Sequence, residues 1–72
     1  ATVIEYMLPR DDYIRLVVFD RHGREVEVLA EGPSPRGSHV ARFSGEQLPT
    51  GLYFYRLESA GGIQTRKMLL TR

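Results

Sequence analysis

Two histidines, His22 and His39, and two adjacent carboxylates, Asp11 and Asp12, are the residues to test first for chemistry. A metal site needs three or four ligands of the His, Cys or carboxylate type at recurring spacings, whereas the histidines stand seventeen residues apart with no cysteine in the chain. No metal is expected. Asp11 and Asp12 follow Pro9 and Arg10, so they read as turn residues whose side chains cap local backbone groups. Neighbouring carboxylates in a turn diverge, which does not suit paired acid and base catalysis. No serine has a histidine and an acid in motif context, and no glycine loop leads into a helix or a Lys-Ser or Lys-Thr phosphate cradle. The chain is therefore read as a non-enzyme, with no cofactor and no small-molecule substrate.

Two further features carry a binding reading beside a structural one. Tyr53 and Tyr55 share one face of a strand with Phe54 opposite, so they either stack on sugar rings or pack in a core. Core packing is the better account, because a small sandwich without tryptophan needs its aromatic area inside. Lys67 is the only lysine among ten basic residues. It reads either as a solvated lysine that keeps an edge strand from aggregating or as a cation that the last strand requires.

These residues sit on strands. Residues 52–57 and 63–70 are apolar, β-favouring runs around a Ser-Ala-Gly-Gly break, which is the signature of a hairpin, and Leu48-Pro49-Thr50-Gly51 forms its entry turn. Residues 2–8 predict a first strand with Ile4, Tyr6 and Leu8 on one face, stopped by Pro9. Residues 13–20 predict the clearest strand, with Ile14, Leu16 and Val18 toward the core and Arg15 and Val17 away from it. Asp20-Arg21-His22-Gly23 is a reversal, with aspartate favoured at its first position and glycine at its last. Residues 24–30 complete that hairpin, with Val26 and Val28 alternating against Glu25 and Glu27. Residues 31–38, with two prolines and two glycines, predict a loop crossing between sheets, followed by a short strand over 39–44 and a turn at 44–47.

No helical period or long repeat appears, and turns about every 8 to 12 residues point to one all-β domain over residues 1–72, an antiparallel sandwich of six or seven short strands. At 72 residues the chain is near the lower limit for a core without disulfides, so a deep cleft is not expected. Net charge is +1 with the signs finely mixed, which leaves no footprint for nucleic acid. The absence of an initiator methionine fits a module of a longer protein.

The ordered set Thr-Val-Ile-Glu-Tyr-Met-Leu-Pro, Ile-Arg-Leu-Val-Val-Phe-Asp-Arg-His-Gly-Arg-Glu-Val, Leu-Pro-Thr-Gly-Leu-Tyr-Phe-Tyr-Arg-Leu and Thr-Arg-Lys-Met-Leu-Leu resembles the type A C-terminal sorting domain of the type IX secretion system. The resemblance covers essentially the whole chain. It implies an immunoglobulin-like β-sandwich that ends a secreted protein of Bacteroidetes-type bacteria and is joined to an upstream cargo domain. It also implies recognition in the periplasm by an outer-membrane translocon, then cleavage by a surface protease and attachment at the cell surface. The family's Gly-x-Tyr motif falls on Gly51 and Tyr53, its aspartate-to-glycine turn on Asp20 and Gly23, and its terminal lysine on Lys67, followed by Met68, Leu69 and Leu70. Lys67 is the residue the resemblance marks for recognition.

Two other readings stay open. A carbohydrate-binding module would lose sugar affinity on substitution of Tyr53 or Tyr55, and the immunoglobulin-like part of a flagellar hook-capping protein shares the same strand pattern. An exposed terminal strand also leaves a dimer through paired edges open.

Overall fold

A computed structural model of the chain describes residues 2–46 and 48–71. Six strands account for the fold: β1 Thr2–Leu8, β2 Asp12–Asp20, β3 Glu25–Ser34, β4 Gly37–Phe43, β5 Gly51–Ser59 and β6 Gly62–Leu70. β1 and β4 form a two-stranded sheet, and the other four form a second sheet in the order β3-β2-β5-β6. All pairings are antiparallel. The architecture is the small all-β sandwich that the strand pattern predicts.

Its connectivity is of the immunoglobulin type. The order β2-β5-β6 corresponds to strands C, F and G of that sandwich, and β1 paired with β4 corresponds to strands B and E. Tyr53 supports the assignment: near the start of β5, its hydroxyl donates to the carbonyl of Pro49 at 2.7 Å, the corner bond that fixes the entry to strand F.

Period-two alternation builds the core. Ile4 and Leu8 of β1 face Ile14 and Leu16 of β2 and Leu57 of β5, while Val18, Phe43, Tyr53 and Leu70 make a second cluster. The core runs from the first strand to the last. Val17 faces away from it, as expected, yet is fully buried. Its neighbours on the outer face explain why. Arg15 reaches Glu25 at 2.9 Å and Glu31 at 3.3 Å, Arg56 reaches Glu58 at 2.8 Å, and the Arg56 guanidinium lies 4.5 Å from the centre of the Phe19 ring. Long side chains lying flat exclude water from the valine beneath them.

Three sequence expectations are corrected. Residues 31–38 are not a loop, because β3 continues through Glu31, Gly32 and Pro33 to Ser34, with Tyr13 opposite Pro33, and β4 begins at Gly37. The strand tolerates Pro33 because β3 is an edge, where a missing N–H breaks no ladder. The crossing between sheets remains, shortened to Pro35 and Arg36. Second, Val26 and Val28 do not alternate on one face. The register skips at Val26 and at Leu29, and these two skipped residues turn to the core while Val28 is exposed. The skips are bulges, which change the phase of a strand. Third, the aspartates cap distant backbone: Asp11 accepts from Arg36 N at 2.8 Å, and Asp12, which opens β2, accepts from Ala60 N at 3.1 Å. Gln47, part of the turn expected at 44–47, lies outside the described residues.

Candidate functional site

The motif residues Asp20, Gly23, Gly51 and Tyr53 and the last residues of β6 come together at one end of the sandwich, while Asp11, Asp12 and His39 lie away from it. Asp20 lies opposite Tyr53 across β2 and β5, and Gly51, Leu52, Tyr53 and Phe54 lie opposite Leu70, Leu69, Met68 and Lys67 across β5 and β6. The hairpin brings the aromatic motif of β5 and the terminal residues of β6 into one ladder, and the β2-β3 turn closes the end. A shallow cleft of about 530 Å³ runs between that turn and residues 48–53.

Asp20 organises the turn. Its Oδ1 accepts from the amides of His22 at 2.9 Å and Arg24 at 3.0 Å, and its Oδ2 accepts from Arg24 Nε at 2.9 Å. The Arg24 amide above all, then the Arg24 side chain and the His22 amide, hold the carboxyl below its ordinary range against a smaller opposing effect of burial. Gly23 closes the turn with φ 84°, a conformation that favours glycine. His22 is exposed at the tip.

Alternation along β6 divides its last four residues into two pairs. Met68 and Leu70 turn inward and pack with Val18, Phe43 and Tyr53. Lys67 and Leu69 turn outward and are exposed, Leu69 at 65%. Lys67 stands beside Phe54, and Leu69 stands beside the exposed Leu52. Lys67 makes no ion pair among the described residues, in contrast to Arg15, Arg24 and Arg56. The outer face at this end therefore offers an exposed cation beside Phe54, followed by the exposed pair Leu69 and Leu52, on a strand with one open edge.

Tyr53 belongs to the core: it is 5% exposed, packs edge-to-face on Phe43 with ring centroids 6.3 Å apart, and has its hydroxyl bound to Pro49. Tyr55 is half-buried against the same core. The pair supplies no sugar-stacking platform. His39 stacks on Tyr6 with ring centroids 5.3 Å apart, and its Nε2 donates to the carbonyl of Pro35 at 2.7 Å. Because a carbonyl only accepts, that nitrogen carries the proton. Burial pushes the Tyr6 phenol up.

One residue of this end has no conspicuous signal in the sequence. Gly45 has φ 61°, accepts a turn hydrogen bond from Leu48 N at 3.0 Å, and lies so close to Leu70 that an added Cβ would stand 2.8 Å from its Cδ2. The loop before β5 thus clasps the end of β6. Only the Gly in Ser-Gly-Glu hinted at it. No protein-family model, curated protein or solved structure significantly matches the chain.

Proposed function

We propose that the chain is a non-catalytic sorting module that carries a covalently joined upstream cargo protein across the outer membrane through the type IX secretion system to the cell surface or medium, passing through the periplasm. The observation that carries this reading is the two-sided terminal strand. Met68 and Leu70 lock β6 into the core, while Lys67 and Leu69 face outward beside an open edge. A receptor that handles many cargoes needs a feature that is the same whatever precedes it. An anchored terminal strand with an exposed cation meets that need, because backbone pairing supplies affinity and side-chain pockets supply specificity.

The motif residues have a supporting role in this reading: Gly51 and Tyr53 pair with Leu70 and Met68 of β6, and Asp20, opposite Tyr53 on β2, closes the β2-β3 turn with Gly23 on the other side of β5. The partners in this reading are the outer-membrane translocon and the surface protease and attachment machinery. A dimer through the open β6 edge would cover the same signal, so the reading requires the module to be free of such pairing when it meets the translocon.

The test is a reporter bearing its own inner-membrane export signal, fused ahead of residues 1–72 in a type IX-secreting bacterium, beside the same fusion carrying Lys67→Ala. Export of the intact fusion alone supports the reading. Retention of the intact, folded fusion in the periplasm contradicts it.

A further inference from the structure

Residues opposite one another in an antiparallel ladder point to the same side, so the outer face of the four-stranded sheet is a grid of transverse rows. One row runs Glu25, Phe19, Phe54, Lys67, from β3 across β2 and β5 to β6. The next runs Val28, Val17, Arg56, Thr65, and a third runs Glu31, Arg15, Glu58, Ile63. The face also carries exposed apolar side chains at Val28, Leu52, Ile63 and Leu69, which covering it would remove from water.

This grid is complementary to itself. A twofold axis parallel to the strands and passing between β2 and β5 lays each row over the same row of a second copy, in reverse order. Lys67 then meets Glu25 of the second copy, Phe54 meets Phe19, and Glu58 meets Arg15, each pair being made twice. Arg56 falls on Val17 and stays held by its own Glu58 at 2.8 Å. No like charges are superposed. A twofold axis across the strands would instead set Glu25 on Glu31, so the charges select one of the two ways in which these faces can stack. Glu25 and Glu58 already reach Arg15 at 2.9 and 3.9 Å within one copy, whereas Lys67 forms no ion pair among the described residues and gains its partner only in the pair. Sheets packed face to face stand about 10 Å apart, within the combined reach of a lysine and a glutamate.

We propose that two copies of the chain pack these outer faces together about that axis, with Lys67 of each copy on Glu25 of the other. Four strands about 4.8 Å apart and about 30 Å long cover roughly 570 Å² per copy, below the ~800 Å² of a standard interface, so the dimer is weak and concentration-dependent. The inference goes beyond the sorting reading and stands without it, because it needs only the register and charges of this face. Where both hold, the dimer is a masked form of the signal, since it covers Lys67 and Leu69.

The test is sedimentation of the 72-residue chain between about 10 µM and 1 mM, the range suited to a weak interface. It is run beside Lys67→Glu, Glu25→Lys, the two combined, and Arg42→Glu, which lies on the outer face of the other layer. All three positions are exposed, so the variants are expected to fold, and denaturation checks that they do. The unaltered chain should dimerise as its concentration rises. Lys67→Glu and Glu25→Lys should each weaken the dimer by about tenfold or more, because each superposes like charges twice. The combined variant should recover to within about threefold of the unaltered chain, and Arg42→Glu should change it by less than about twofold. Any of four results overturns the proposal: a chain still monomeric at about 1 mM, a dimer indifferent to Glu25→Lys, as one paired through the β6 edge would be, a combined variant no better than the single ones, or an Arg42→Glu loss equal to theirs.

Discussion

Asp20 uses both oxygens of one carboxylate to close a turn, and that makes it the residue whose protonation the fold should feel. Its carboxyl is held low by two amides and the Arg24 side chain. A depressed pKa contributes stability that is present above the unfolded value, about 3.9, and is lost as pH falls through the lower folded value. Asp20→Asn keeps an acceptor but removes the charge. In urea denaturation its deficit against the unaltered chain should be largest near pH 7 and should shrink toward pH 3; a deficit that does not change with pH would contradict the charge-based role. Gly45 makes a second residue-scale prediction. At φ 61° and against the buried Leu70, alanine meets both an unfavourable backbone and a contact it cannot relieve without moving the core. Gly45→Ala should lower stability by about 1–2 kcal/mol, read as a lower denaturant midpoint with unchanged slope. The turn at 20–23 was legible in the sequence because aspartate and glycine occupy the positions that a reversal favours. Gly45 was not, because its requirement comes from a leucine twenty-five residues away.

At the scale of elements, the terminal strand separates buried from exposed side chains residue by residue. Leu70 is 3% exposed and its neighbour Leu69 is 65% exposed. Leu70→Ala should cost about 2–4 kcal/mol through the cavity it leaves, whereas Leu69→Ala should stay within about 0.5 kcal/mol. Thermal denaturation of the two variants decides this, and equal costs would mean that β6 is not docked as described. The period of two made β1, β2, β5 and β6 legible, along with their core residues Ile4, Leu8, Ile14, Leu16 and Val18. It failed on β3 for two physical reasons. Pro33 and Gly32 read as loop, but an edge strand tolerates them, and the bulges at Val26 and Leu29 break the alternation on which the reading depended. The outward direction of Val17 follows from the alternation, but its burial does not, because the cover comes from charged side chains folded over the outer face.

The whole molecule is a sandwich with unequal layers, four strands against two. Its long axis measures 35 Å, and its core is two buried clusters joined by the partly buried Leu29, Tyr55 and Met68. Such a body leaves several edges open and has a core too small to spare a strand, so removing β6 would remove part of the fold together with any signal on it. This limits what a truncation can establish about recognition: loss of export after deletion of residues 63–72 follows from unfolding as readily as from a lost signal. Point changes on the outward row are free of that ambiguity. The most direct measurement is therefore export of the reporter fused to residues 1–72 carrying Lys67→Ala with Leu69→Ala, with the stability of the same variant measured in parallel. The sorting reading predicts a module as stable as the unaltered one within about 1 kcal/mol whose cargo stays in the periplasm. A stable double variant that exports its cargo as well as the unaltered module would contradict it.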